Sequence, residues 1–336
     1  MRYEIVAETY RDLERASGRL ALIERLAELV RQTPDELLPT VCLLCQGQIA
    51  PDFAGVELGL AERLAARAVA QAAGVPAERV MAGLRDTGDL GLAAEQLLGE
   101  LDPDRSATLE VGTVFDGLHE IARAEGEGSQ GRKLAGLTDL LGRATPLEAR
   151  YLVRTVTGSL RLGIGTATIL DALAEVHAGG RKQRLILERA YNICSDLSLV
   201  AATLVGGGLA EVEAMRVRAG NPVRPMLAQR LSESAEILAK LGGTCAAEYK
   251  YDGIRVQAHR TADGTGSSPM RAPTGPATSR KARPPPTSNS SAPKTENRSG
   301  RGPERSGAWI AKSTPPHLGS VPEPHTAKPK RMKPAE

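Results

Sequence analysis

The groups best suited to chemistry lie in one short string of this 336-residue sequence, Glu-Tyr-Lys-Tyr-Asp-Gly-Ile-Arg at residues 248–255. Lys250 stands two residues before Asp252-Gly253, a dipeptide typical of tight hairpin turns. A lysine amine whose pKa is lowered by burial or neighbouring cations is a nucleophile near neutral pH, so Lys250 is a candidate nucleophile. The competing interpretation is an ordinary exposed hairpin, in which Glu248 and Arg255 form a cross-strand ion pair.

The pattern around this string predicts a β-hairpin. Residues 245–251 are predicted to form one strand and residues 254–260 the returning strand, because alternate apolar positions in the second run share a face. A short helix is predicted just before them, over residues 232–241. After Arg260 every regular pattern stops.

Residues 1–220 are predicted to be almost entirely helical, since Ala, Leu, Glu and Arg dominate and apolar residues recur at helical spacing. One amphipathic helix is predicted over residues 11–32. Thr33-Pro34-Asp35-Glu36 has the pattern of a helix start, with a cap, a proline and first-turn acids. Thr145-Pro146-Leu147-Glu148 predicts a second start with a capping box. Gly206-Gly207-Gly208 is predicted to end the last helix.

Two polar clusters in the helical part could bind phosphates through side chains and helix-terminal amides. Glycines in the second cluster would let a nucleic-acid strand approach the backbone closely, and a helix is predicted to begin there. No segment has the pattern of a base-reading helix. The competing interpretation is plain helix termini with solvated charges. The candidate residues are Ser129, Gln130, Arg132 and Lys133 in the first cluster, and Arg161, Gly163, Gly165 and Thr166 in the second.

The composition changes sharply near residue 260. Residues 261–336 hold 14 of the 22 prolines and carry 13 Lys and Arg against 5 Asp and Glu, whereas residues 1–260 carry a net charge of −5. Few apolar residues remain in the tail, too few to offset the entropy of folding. We therefore predict a disordered, low-complexity tail over residues 261–336.

The sequence also excludes several classes of protein. No stretch is expected to span a membrane, and the charged N-terminus is not a signal peptide. Four cysteines do not form a disulfide scaffold, so a reducing, cytoplasmic location is expected. Cys42 and Cys45 are predicted to be buried thiols, because no further zinc ligands stand near them in the sequence.

The Lys-x-Asp-Gly-x-Arg core at Lys250 resembles the nucleotidyltransferase motif of ATP-dependent DNA ligases, which capping enzymes and RNA ligases share. Three longer strings, in the same order as in the ligases, resemble the helical DNA-binding domain of the bacterial and archaeal enzymes and the segment that leads into their adenylation domain. They lie at residues 128–149, 151–165 and 221–228. The resemblance covers about residues 1–260, and the long helical part argues against a capping enzyme or RNA ligase.

The resemblance implies a role for each matched residue. Lys250 would be the adenylated nucleophile, Glu248 would contact the adenine, and Arg255 would contact the ribose or phosphate side of the nucleotide. ATP and Mg²⁺ would be needed, although the metal ligands are unknown. The partner would be nicked duplex DNA, bound by a monomer without base readout.

The fold that follows is a mainly α N-terminal domain, the start of an α+β adenylation (nucleotidyltransferase) domain, and a disordered C-terminal tail. Residues 1–205 would form a helical DNA-binding domain. Residues 206–260 would form the linker and the first part of the adenylation domain, and residues 261–336 would form the tail. A ligase adenylation domain continues well past the lysine motif, and its later motifs are not found after Arg260.

We hypothesise that the chain is truncated or frameshifted near residues 264–266; the competing interpretation is a genuine basic tail that binds DNA. Such a chain would be weakly active or inactive as a ligase. The alternative function is a non-catalytic DNA-binding protein that consists of the helical domain.

Overall fold

The structure is a computed structural model, and it describes residues 1–58, 60–102, 105–225, 229–246, 256–260 and 266–271. The chain divides into two compact units. The first comprises Met1–Arg224 and Val256–Pro273, and the second comprises Pro225–Arg255 and Thr274–Glu336. The predicted hairpin turn at Asp252-Gly253 and the tail beyond residue 271 lie outside the described residues.

The described part of the first unit is mainly helical, which confirms the predicted fold class. Its helices are α1 Tyr3–Arg15, α2 Arg19–Gln32, α3 Leu38–Cys45, α4 Glu62–Ala72, α5 Ala77–Thr87, α6 Leu90–Leu101, α7 Val111–Arg123, α8 Ser129–Arg143, α9 Pro146–Val156, α10 Thr166–His177, α11 Arg184–Cys194 and α12 Leu197–Ala214. Three 3₁₀ turns accompany them at Asp35–Leu37, Asp52–Ala54 and Arg181–Gln183. In the second unit the described helix is α13, Ser234–Lys240, within the predicted range 232–241.

The helices of the first unit share a continuous apolar core. The main packing pairs are α6 with α9, α10 with α2, α4 with α8, and α12 with α3. Apolar residues at helical spacing form this core, including the fully buried tyrosines Tyr3, Tyr10 and Tyr151. Most of the stability of such helices comes from burying one apolar face rather than from helix propensity.

Helices α6 and α9 come into close contact at Gly91. A Cβ atom on Gly91 would lie only 2.6 Å from the carbonyl oxygen of Arg150 and 2.8 Å from Cγ of Arg154. Real Cβ atoms do not tolerate such distances, so a side chain at this position would push the two helices apart.

A network of charges surrounds this close approach. Arg154 Nη2 lies 2.9 Å from Asp89 Oδ2, and both side chains are almost fully buried, at 5% and 6% exposure. Arg150 Nη1 lies 3.0 Å from Glu95 Oε2, and both arginines also bind Glu14 of α1. Burial by itself would raise the pKa of Asp89, but the hydrogen bonds and charge of Arg154, with backbone amides of α6, lower it overall.

The predicted helix over residues 11–32 is wrong as a single element. It is interrupted after α1, and α2 begins after Gly18, whose φ of 90° lies in the region that favours glycine. Leu20, an apolar residue within the range of the predicted helix, is 67% exposed. The spacing of apolar residues continued across a break that only the backbone geometry reveals.

The two Thr-Pro sequences behave differently. Thr145 caps α9 as predicted, since its Oγ1 accepts a hydrogen bond from the Glu148 amide at 3.2 Å, and Glu148 Oε2 accepts one from the Thr145 amide at 2.8 Å. Thr33 instead ends α2, and its Oγ1 donates to the carbonyl oxygen of Leu29 at 2.7 Å. A 3₁₀ turn at Asp35–Leu37 follows Pro34 and runs directly into α3, so a helical segment begins here as predicted, but without a side-chain cap.

The glycines predicted to end the last helix do interrupt α12. Gly208, with φ 75° and ψ −175°, breaks the helical geometry, and the helix resumes and ends at Ala214. Taken as a whole, Leu197–Ala214 is long and apolar enough to cross a membrane by length and composition, which no stretch was expected to be, but the break at Gly208 divides it into two shorter helical pieces. It also contributes Val200, Ala201 and Leu204 to the core, as core helices of globular proteins do.

Strand β1, Val256–Arg260, pairs antiparallel with β2, Gly266–Arg271, and Arg260 lies opposite Gly266. Regular structure therefore continues past Arg260, where the sequence pattern predicted that it would stop. Strand β2 has no clear alternation of apolar residues, which is why the pattern did not reveal it. Cys245 and Ala246, the described part of the other predicted strand, are not in a strand.

Replacement of Thr145 by alanine removes the side-chain acceptor at the start of α9 and should lower the free energy of unfolding by about 1–2 kcal/mol. Urea unfolding followed by circular dichroism measures this change. The control is Thr113→Ala inside α7, which should change stability by less than about 0.5 kcal/mol. Equal effects of the two substitutions would contradict the role of the cap.

Replacement of Asp89 by asparagine should destabilise the first unit by about 2–3 kcal/mol at neutral pH, because Arg154 keeps only Glu14 as a charged partner. The pKa of Asp89 is lower in the folded state, so its charge stabilises the fold above about pH 4, and this contribution is lost as the pH falls further. The variant should therefore lose less stability than the wild type between pH 5 and the acid transition. Chemical unfolding across that pH range tests this, and parallel pH profiles would refute it.

Candidate nucleic-acid interface

The first candidate cluster forms the start of α8. Gly128 precedes the helix with φ 72°, and the helix begins at Ser129. Gln130 and Gly131 are exposed in the first turn, and no atom would lie within 4 Å of a Cβ on Gly131. The first amides of a helix lack partners within the helix and favour anions. This helix start is therefore open to a phosphate group.

Arg132 and Lys133 have contacts within the protein that the sequence did not reveal. Arg132 donates to the carbonyl oxygens of Glu125 at 2.7 Å and Glu127 at 3.0 Å, which holds the turn before α8. Lys133 Nζ donates to the carbonyl oxygen of Leu58 at 2.8 Å. Arg132 is exposed and Lys133 is half-buried, so both cations support local structure whatever else they bind.

The second cluster forms the loop that leads into α10. Arg161, Gly163 and Gly165 are exposed, while Leu162 between them is buried and anchors the loop. Gly163 has φ 68°, and a Cβ on either glycine would meet no atom within 4 Å. The backbone at both glycines is therefore accessible from outside the protein.

Gln46 belongs beside this second cluster, although the sequence pattern did not select it. Its Nε2 lies 3.2 Å from Thr166 Oγ1, and the next residue, Gly47, lies against Leu160. The end of α3 thus supports the loop before α10. A contact across 120 residues of sequence leaves no local signal that could have identified it.

The two clusters occupy different parts of the helical packing. Helix α8 packs mainly on α4 and α7, whereas α10 packs mainly on α2 and α11. Among the described residues, no hydrogen bond or ion pair links one cluster to the other. Each cluster is therefore a separate candidate contact point.

The adenylation residues predicted from the lysine motif, Lys250, Glu248 and Arg255, lie outside the described residues. Within the described ranges, no group of three or more His, Cys, Asp and Glu side chains could hold a metal ion, and the ligands of Mg²⁺ remain unassigned.

Cys42 and Cys45 are free and buried, as predicted. Burial raises the pKa of both thiols, that of Cys45 to about 12. They are therefore protonated core residues at neutral pH.

Two family models match the chain in order. The model described as DNA ligase N terminus matches residues 2–174, and the model described as ATP dependent DNA ligase domain matches residues 225–267. The second match includes Lys250 and extends past Arg260, to a point inside β2.

Several curated relatives are similar to the chain over most of its length. It is 47% identical over 263 residues to a probable DNA ligase of Aquifex aeolicus, and 48% identical over 270 residues to DNA ligase 2 of Thermofilum pendens. A DNA ligase of Nitrosopumilus maritimus is 42% identical over 265 residues. Each match covers 78% of this chain and 45% of the relative, so the chain spans about half the length of these proteins. By these matches the chain belongs to the ATP-dependent DNA ligase family.

Proposed function

We propose that this chain carries the DNA-binding and lysine-bearing parts of an enzyme that seals nicks in duplex DNA through a lysine–AMP intermediate. The observation that carries this proposal is the order of the two family matches, with Lys250 inside the second one. Replication, repair and recombination all produce nicks that such an enzyme would close.

The proposed first step is nucleotidyl transfer to Lys250. Its amine attacks the α-phosphorus of ATP, a phosphorus–nitrogen bond forms, and the bond to the β-phosphate breaks to release pyrophosphate. The amine must lose a proton in this step. Glu248 would bind the adenine and Arg255 the ribose or phosphate side. Mg²⁺ would neutralise the charge of the triphosphate.

The helical unit is proposed to hold the nicked duplex through its phosphates. The start of α8 carries exposed Gln130, the loop before α10 carries exposed Arg161, and helix N-termini favour anions. Contacts of this kind do not read bases, which suits an enzyme that must act at any sequence. Because residues 1–260 carry a negative net charge, we propose that DNA binding depends on such local contacts. We propose a monomer that acts in the cytoplasm.

A non-catalytic DNA-binding protein is the second candidate function. It would use the helical unit alone, in which the match to the DNA ligase N terminus model, residues 2–174, lies. The 336-residue chain by itself is therefore expected to bind nicked DNA weakly and to seal nicks weakly or not at all.

Replacement of Arg161 by glutamine should weaken binding to a nicked duplex about three- to tenfold at low salt and reduce the slope of log K against log salt by about one. The side chain is exposed and has no partner among the described residues, so stability should not change. The matched control is Arg31→Gln on α2, whose arginine pairs with Glu28. Fluorescence anisotropy across a salt series measures the effect, and equal affinities for the two variants would exclude Arg161 from the interface.

Incubation of the chain with ATP labelled at the α-phosphate tests the lysine chemistry. Little or no protein–AMP adduct is expected, and any adduct should disappear in Lys250→Ala. Labelling that survives in this variant would show that another residue is the nucleophile. Robust labelling of Lys250, or sealing of a nick, would refute the expected low activity and remove the non-catalytic alternative.

A further inference from the structure

The segment that follows the helical part, residues 220–224, is anchored to the end of α11. The Arg224 amide donates to the carbonyl oxygen of Asn192 at 2.7 Å. Asn221 Nδ2 donates to the carbonyl oxygen of Cys194 at 3.2 Å. The last carbonyls of a helix have no partner within the helix. The Ser195 amide binds the carbonyl oxygen of Tyr191, and this segment binds those of Asn192 and Cys194.

Side chains strengthen the same anchor. The Arg224 guanidinium lies 4.7 Å from the centroid of the Tyr191 ring and donates to the Tyr191 hydroxyl at 2.7 Å. Ser195 Oγ donates to the carbonyl oxygen of Pro222 at 2.6 Å. Ser195 has φ 53°, and it is the one non-glycine residue with positive φ in the described ranges. Such a conformation costs energy and persists only where surrounding contacts hold it.

Strand β1 is attached to this anchored segment through side chains. Gln257 Oε1 accepts a hydrogen bond from the Val223 amide at 2.9 Å, and Gln257 Nε2 donates to the Val223 carbonyl oxygen at 2.5 Å. The carboxamide therefore offers Val223 the same donor and acceptor that a neighbouring strand would offer. His259 Nδ1 accepts from the Gly220 amide at 3.1 Å. Residues two apart in a strand share a face, so one face of β1 meets the segment.

We propose that Gln257 is a positioning residue, which holds β1 on the helical unit by binding both backbone groups of Val223. Residues 256–273 belong to the same compact unit as Met1–Arg224, which agrees with this attachment. The role in catalysis rests on the proposed function. We call the two hydrogen bonds between Gln257 and Val223 the clamp. Lys250 lies six residues before Val256, so the clamp sets where the chain that follows the lysine motif attaches to the DNA-binding helices.

Amide hydrogen exchange on the full chain, without ATP or DNA, tests the clamp. Gln257→Ala should raise the exchange rate of the Val223 amide about tenfold or more, because this amide loses its acceptor. Gln257→Glu keeps an acceptor for the Val223 amide but loses the donor to its carbonyl, so a smaller increase is expected. Unchanged exchange at Val223 in Gln257→Ala would overturn the proposal.

Gln96→Ala is the matched control. Gln96 is exposed on α6 and bonds to Glu100 at 3.1 Å, so its loss should leave exchange at Val223 unchanged. The unfolding midpoint of the helical unit should remain the same in all variants, because Gln257 lies outside the apolar core. A general loss of amide protection across the helices in Gln257→Ala would mean that this variant is unfolded. In that case the exchange rate of the Val223 amide in Gln257→Glu decides the proposal.

Amide exchange in the presence of a nicked duplex distinguishes a positioning role of Gln257 from a purely structural one. In the wild type, DNA bound to the helices should slow exchange in residues 256–260, and this effect should disappear in Gln257→Ala while DNA affinity changes less than about twofold. Equal slowing in both proteins would overturn the positioning role. Absence of DNA binding in the wild type would contradict the proposed function instead, while the exchange of the Val223 amide still decides the clamp.

Discussion

The buried ion pair between Arg154 and Asp89 is the constraint on which the packing of the helical unit depends. It forms where Gly91 allows α6 to approach α9, and Asp89 also accepts a hydrogen bond from the Leu92 amide at 3.1 Å as the cap of α6. Removing two charges from water is costly unless each is paired and hydrogen-bonded. The pair is therefore stable only when both helices and α1, which supplies Glu14, are in place.

This network makes α9 the centre of the unit. The Tyr151 ring of α9 packs edge-on against Tyr10 of α1 with their centroids 5.3 Å apart. Arg150 and Arg154 lie 5.2 and 5.5 Å from the same ring. The helices that begin at the two candidate phosphate clusters, α8 and α10, precede and follow α9 in the chain. They pack mainly on other helices, α8 on α4 and α7, and α10 on α2 and α11.

Charged side chains of the candidate clusters also bind backbone carbonyls within the protein, which explains why the roles of these residues were only partly predictable. Composition identified Arg132 and Lys133 as cations near a helix start, and the structure shows that both also hold neighbouring loops through backbone carbonyls. A sequence cannot show which carbonyl a long side chain reaches. Leu58 is 75 residues from Lys133 and Gln46 is 120 residues from Thr166, and contacts at such separations have no local pattern.

Local patterns were reliable where one short segment decides the outcome. The capping box at Thr145 was predicted because its donors and acceptors lie within four residues. After Thr33 the predicted helical segment is present, but the predicted cap is not, because Thr33 uses its hydroxyl at the end of the preceding helix α2. The single helix predicted over residues 11–32 was wrong, because the backbone torsion at Gly18 interrupts it although the apolar spacing continues.

The sequence by itself determined the family, the order of its parts, the helical class of residues 1–220 and the identity of Lys250 as the candidate nucleophile. These properties are encoded in motifs and in apolar spacing, which are local. Only the tertiary structure decided which charges are buried together, which cations support loops, and that β1 attaches to residues 220–223 through Gln257 and His259. Those outcomes depend on distances between atoms far apart in the chain, which burial and hydrogen-bond geometry select during folding.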